Sequence, residues 1–121
     1  MFDHVLVDVE EMERSKAFYT AALAPLGVSL KEEFGEGMSG FGIDAPVLWI
    51  AARGREKSGG VHLAFPAPDP DAVDSFHGAA LAAGGTDNGA PGPRPDYGDA
   101  YYAAFVLDPD GNNIEAVHHG S

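Results

Sequence analysis

The chain contains no cysteine, which removes disulfides, thiolate metal ligands and a cysteine nucleophile. It is also poor in cations, with seven Lys and Arg against nineteen Asp and Glu and a net charge of −12. Phosphate binding is built on basic clusters, so this balance argues against nucleic acid and against an anionic membrane. It also disfavours a strongly anionic substrate, and surface acids serve solubility in any case. No apolar run approaches the ~20 residues that span a bilayer. Met-Phe-Asp-His at the start is not a basic segment followed by an apolar one, so the reading is a soluble, cytoplasmic protein. Three chemistry-bearing motifs are missing as well: the nucleophile elbow G-x-S-x-G, the phosphate-cradling G-x-x-x-x-G-K-[ST], and a G-x-G-x-x-G following a strand.

What is present is enough apolar material for a core, 45% of 121 residues, and an internal repeat. The sequence HVLVDVEEMERSKAFYTAALAPLG, from residue 4, lies without a gap over HLAFPAPDPDAVDSFHGAALAAGG, from residue 62. His4 falls on His62, Phe18 on Phe76 and Gly27 on Gly85. Two copies are too few for a solenoid and suit a fold of two similar halves. The expected organisation is one domain, 1–121, made of modules 1–58 and 59–121 joined through the polar, glycine-rich stretch 53–60.

Each half opens with alternating residues, Val5, Val7 and Val9 in the first and Val61, Leu63 and Phe65 in the second, the pattern of a half-buried strand. A helix follows. In the second half Asp69 is placed to cap it, Pro70 takes the first helical position and Gly84-Gly85 ends it. Val73, Phe76, Ala80 and Ala83 form its apolar stripe; Phe18, Ala22 and Leu26 do the same in the first. Strands are expected over 28–33, 40–43 and 47–52, and over 100–107 and 113–119, the last pair joined by the turn Asp108-Pro109-Asp110-Gly111. The stretch GAPGPRPDYGD, 89–99, reads as a loose loop, leaving the first short strand of the second half poorly defined.

His4 and His62 hold equivalent positions on the faces opposite the Val/Leu/Phe stripes. Glu115 shares a face with Asn113 and Val117, away from Ile114 and Ala116. If the halves pair about a pseudo-twofold axis, two imidazoles and one carboxylate gather around a divalent cation, with positions left open for water or substrate. Each residue also has a plainer reading: a surface or hydrogen-bonded core histidine, or an edge glutamate paired with an arginine. Around such a centre stand further substrate-binding candidates. Trp49 is either an apolar wall or ordinary core. Arg94, Tyr97, Tyr101 and Tyr102 sit in or just after the Pro/Gly segment, as carboxylate and hydrogen-bond partners or as rim packing. His118 and His119 lie near the C-terminus, outside the ligand set, and His77 reads as an exposed helix residue.

The segments DHVLV, RSKAFYTAALAPLG, GVHLAF and FVLDPDGNNIEAV resemble the vicinal oxygen chelate superfamily, which includes glyoxalase I, bleomycin-resistance proteins, fosfomycin-resistance enzymes and extradiol dioxygenases. The resemblance covers nearly the whole chain. It implies an α+β fold of two βαβββ modules, a cup-shaped mixed sheet with helices on the convex face, and a metal on the concave one. His4, His62 and Glu115 match the ligand positions on the first strand of each module and on the last strand. Glyoxalase I carries a fourth, acidic ligand on the last strand of its first module. Here that strand is APVLWIA, with Trp49 or Leu48 at the position, which counts against lactoylglutathione lyase activity. The implied function is a metal-dependent lyase, isomerase or dioxygenase acting on a small oxygen-chelating substrate, with zinc, nickel, manganese or iron(II) as cofactor and a homodimer as assembly. No catalytic base is identified. The alternative is a metal-free small-molecule binding or sequestration protein of the bleomycin-resistance type.

Overall fold

The computed structural model describes residues 1–57 and 59–120; Ser58, within the expected link, and Ser121 lie outside the described residues. The first module runs β1 (Val5–Asp8), α1 (Met12–Leu23), a 3-10 turn (Ala24–Leu26), β2 (Ser29–Phe34), β3 (Met38–Gly42) and β4 (Pro46–Ala51). The second runs β5 (His62–Pro66), α2 (Pro70–Ala82), β6 (Thr86–Pro93), β7 (Tyr101–Leu107) and β8 (Asn113–His119). Each module is a four-stranded mixed sheet, ordered β1-β4-β3-β2 and β5-β8-β7-β6. The first strand of each lies parallel to the last, and the others are antiparallel. The repeated sequence therefore folds as a repeated βαβββ unit.

Alternation and helical periodicity both aim into one core. Val7 from β1, Val9 just after it, and Ile114 and Ala116 from β8 are buried with Phe18, Ala22, Leu23, Val73, Phe76 and Ala80 from the helices. The equivalent Phe18 and Phe76 are both fully buried in this cluster, which spans the two modules. α2 begins as its sequence dictates: Asp69 accepts a 2.8 Å hydrogen bond from the Ala72 amide and Pro70 opens the first turn. His77, expected to be exposed, has a side chain only 14% exposed and bonds Asp87 Oδ1 through Nε2 at 2.9 Å, because the start of β6 lies beside that face of α2.

β6 corrects the expectation of a loose loop. Thr86–Pro93 pairs with β7 through two register shifts, between Asp87 and Gly89 and between Gly89 and Gly92. Its two prolines are tolerated because it is the edge strand of its sheet, with one side free of ladder bonds. The bulges absorb the irregular backbone.

The turn 108–112 ties the modules together. The Asp108 carboxylate accepts from the amides of Asp110 and Asn112, from Asn112 Nδ2, and from the Tyr19 hydroxyl on α1. Asp110, with a fully buried side chain, accepts from Arg14 and Ser15 of α1 at 3.3 and 3.4 Å. Asn112 Oδ1 accepts from the Val61 amide at the start of the second module. The hydrogen bond from Tyr19 stands in a buried setting; that burial, then the charge of Asp108, raises the Tyr19 phenol well above its ordinary pKa.

Candidate functional site

Parallel pairing of β5 with β8 sets His62 opposite Asn113 and Ala64 opposite Glu115. Side chains two apart along a strand share a face, so Asn113, Glu115 and Val117 all turn away from Ile114 and the core. On that face His62 Nε2 lies 2.7 Å from Glu115 Oε1. The Glu115 side chain is 3% exposed while the imidazole is 52% exposed, so a shielded carboxylate meets a histidine open to solvent. The Tyr101 hydroxyl donates to the other carboxylate oxygen, Oε2. Burial first, then the hydrogen bond and charge of Glu115, push the Tyr101 phenol up to about 12, partly opposed by the charge of Arg94. Tyr101 therefore remains a donor across the neutral range.

Phe105 pairs with Glu115 across β7 and β8 and carries the face outward. Its ring meets the His62 ring, centroids 6.0 Å apart, and the Arg94 guanidinium, whose Cζ lies 5.4 Å from the ring centroid. Tyr97, 66% exposed, meets Tyr101 edge-on at 5.4 Å, and His119 also meets it edge-on at 5.1 Å. Asn113 Oδ1 is buried and has no hydrogen-bond partner. A buried acceptor without a donor is costly, and this one sits on the Glu115 face beside His62.

The remaining sequence candidates lie elsewhere. Tyr102 turns to the opposite face, where its hydroxyl donates to Asp74 of α2 at 2.7 Å. His4 precedes β1 and bonds its neighbour Asp3 at 2.6 Å, with half of its side chain exposed. It lines a cleft of about 500 Å3 on the open face of the first sheet, with Leu6, Phe34, Met38 and Trp49. Trp49 is 9% exposed and stacks on Phe34 at 5.2 Å with planes 6° apart. Its neighbour across the ladder is Gly40, where a Cβ would stand 2.9 Å from the indole; the glycine lets the ring lie flat on the sheet. Among the described residues, no three His, Cys, Asp or Glu side chains come together as a metal-holding group. His62 and Glu115 are brought together, while His4 lines two clefts that neither of them lines, one shared with Leu63 and Ala64 of β5.

Sequence reasoning missed Phe105, Phe34 and Asn113. Phe105 was within reach, because Tyr101, Ala103 and Phe105 alternate on one face of a strand that must pair with β8. Phe34 sits at the frayed end of a polar strand, and only the fold places it over Trp49.

Comparison with known proteins agrees with this architecture. A family model described as Glyoxalase/Bleomycin resistance protein/Dioxygenase superfamily matches residues 1–116. A solved glyoxalase/bleomycin resistance protein from Albidiferax ferrireducens T118 is 36% identical, covering 98% of each chain, with a TM-score of 0.86. A family enzyme from Burkholderia phytofirmans PsJN superimposes at a TM-score of 0.76 with 19% identity, over 97% of each chain. A lactoylglutathione lyase from Agrobacterium tumefaciens reaches 0.69 with 18% identity, over 98% of this chain and 92% of its own; at these identities the likeness is one of fold. No match to the chain is found among curated proteins. The two repeated modules, the register of β5 with β8 and the match over nearly the whole length lead to one assignment: the chain belongs to the glyoxalase/bleomycin resistance protein/dioxygenase superfamily.

Proposed function

We propose that the protein is a metal-dependent enzyme acting on a small oxygen-chelating substrate, with His4, His62 and Glu115 holding a divalent cation. The observation that carries the reading is the 2.7 Å contact of an open imidazole with a shielded carboxylate on an outward face. An imidazole nitrogen and a carboxylate oxygen suit zinc, nickel, manganese or iron(II). The unpartnered Asn113 Oδ1 beside them is the acceptor that a bound hydroxyl or metal-held water would satisfy. A cation held there would supply Lewis acidity toward two oxygens of the substrate. The chain's own contribution is orientation: Tyr101 fixes one carboxylate oxygen of Glu115 and leaves the other to face His62.

His4 and the His62–Glu115 pair stand on different sheets, each half open. We assign the completion of the site to a homodimer, in which His4 of a second copy faces the pair. Elemental analysis of protein purified without added metal tests the reading. About one cation per chain is expected, abolished in His62→Ala and in Glu115→Ala. Metal retained undiminished in both variants would sink it. Mixing His4→Ala with His62→Ala chains separates the two assemblies. A shared site leaves one intact centre in each mixed dimer, whereas sites within single chains leave none.

A second reading rests on a separate observation. Phe34 stacks on Trp49 in an open cleft, and His62, Glu115 and Tyr101 already satisfy one another by hydrogen bonds. Both features suit a metal-free binding protein for a planar molecule. Metal-free preparations that bind aromatic ligands tightly and turn over none of a panel of dicarbonyls, catechols and thiol conjugates would favour it.

A further inference from the structure

Arg94 is the only Lys or Arg from residue 59 onward, in a stretch with nine Asp and Glu. In the first module Arg14, Lys16, Arg53 and Lys57 pair with carboxylates, while Lys31 and Arg55, both exposed, do not among the described residues. Nor does Arg94, among the described residues. Its Nη1 donates to Gly92 O at 2.9 Å and Pro93 O at 3.4 Å, and its Nη2 to Ala90 O at 2.8 Å. A guanidinium has five N–H donors, so these three bonds leave two directed elsewhere. Carbonyl acceptors also leave the positive charge in place.

The seat is shaped for this side chain. A Cβ at Gly89 would stand 3.3 Å from Nη2 and 2.9 Å from Phe105 Cδ1; one at Gly92 would stand 3.3 Å from Nη1. Two residues without side chains thus open a trough along β6, in which the guanidinium lies against the Phe105 ring. The bulges between Asp87 and Gly92 are what bend the strand to form it. His62 also meets Phe105, so cation and imidazole both stand against one ring, 5.4 and 6.0 Å from its centroid. The charge of Arg94 also lowers the Tyr101 phenol against its other influences, which places it in electrostatic reach of the same cluster.

We propose that Arg94 is an anion receptor: it takes the carboxylate of a small ligand whose other end reaches His62 and Glu115. The clause about the other end rests on the functional reading above; the receptor itself does not. A planar carboxylate accepts two parallel N–H bonds from a guanidinium, and the two unused donors supply them. The acidic balance of the chain works against dianions and phosphates, so a single carboxylate is the charge this site selects. The ring of Phe105 and the edges of Tyr97 and Tyr101 suit an aromatic or short aliphatic body behind it.

Benzoate and benzamide serve as probes, because they differ in charge and share a body. Each is titrated into the purified full-length protein, both as isolated and after chelator treatment, while the Arg94 Nε–H and His62 ring signals are followed by NMR. Benzoate is expected to bind saturably in both preparations and to shift the Arg94 signal, with benzamide at least ~10-fold weaker. Arg94→Gln should weaken benzoate by ~10-fold or more, and Arg94→Lys by less, because it keeps charge and loses the fork. Gly92→Ala, which crowds Nη1 without touching the charge, should fall between wild type and Arg94→Gln. Equal binding of the two probes, unaltered binding in Arg94→Gln, or no saturable benzoate binding in either preparation would overturn the assignment. The functional reading fails separately: metal content unaffected by His62→Ala refutes that centre and leaves the benzoate result standing. A shift at Arg94 with none at His62 removes only the clause that joins the two.

Discussion

The two modules repeat one backbone, yet the matched position on their last strands holds opposite chemistry. Leu6 and Ala64 are equivalent in the repeat; Leu6 pairs with Trp49 and Ala64 with Glu115. Where the second module places a shielded carboxylate between His62 and Tyr101, the first places an indole stacked on Phe34. The neighbours differ to match. Gly40 clears space for Trp49, and Phe105 walls the side of Glu115. The two modules share the fold and the helix-side core, while their outward faces differ: an apolar wall in the first and a polar, hydrogen-bonded cluster in the second.

The largest test of that comparison concerns what the modules share. Phe18→Ala and Phe76→Ala should each cost about 3–5 kcal/mol and lower a single, common unfolding transition in denaturant titrations. Two separable transitions would mean the modules are independent. Next is the contrast between the turns that precede the two last strands. Asp108→Ala removes the acceptor of four donors and should cost about 3 kcal/mol. Asp44→Ala, at the exposed turn of the first module, should stay within about 0.5 kcal/mol. Third, Gly40→Ala forces a Cβ against the indole and Pro46, costing about 1–3 kcal/mol and altering the fluorescence of the single tryptophan.

The smallest effect is alkaline. The folded state raises the Tyr101 phenol from 10.0 to about 12, so its contribution is fully present below pH 10 and is lost as pH rises toward 12. Phenolate absorbance should therefore show a tyrosine ionising near pH 12, in addition to the late-ionising Tyr19 and Tyr102, and the Tyr101 phase should vanish in Tyr101→Phe. In Glu115→Gln it should move to lower pH without reaching the ordinary value, since burial is the larger cause. A late amplitude that Tyr101→Phe does not reduce by one tyrosine would assign this phenol elsewhere.

Much of this was legible in the residues. The bounds of β8, the cap at Asp69, the stripes around Phe18 and Phe76, and the outward parity of His62 and Glu115 follow from alternation and helical period. β6 was not legible, because Gly89, Pro91, Gly92 and Pro93 read as a loop. Only its place at the sheet edge and pairing with β7 make it a strand. Adjacent on one strand, Tyr101 and Tyr102 must face opposite ways, but no local pattern says which one meets the carboxylate; the β7–β8 register decides that. The place of His4 depends on how one sheet stands to the other, which no local pattern encodes.

The hydrogen bond from Tyr19 to Asp108 closes a loop of 89 residues, among the longest-range joints in the molecule. During synthesis the first helix leaves the ribosome long before its acceptor has been translated. Until then the Tyr19 hydroxyl, Ser15 and Arg14 face an unfinished surface. The first helix therefore gains its buried acceptors only once the final hairpin exists, which makes that hairpin the clasp of the fold.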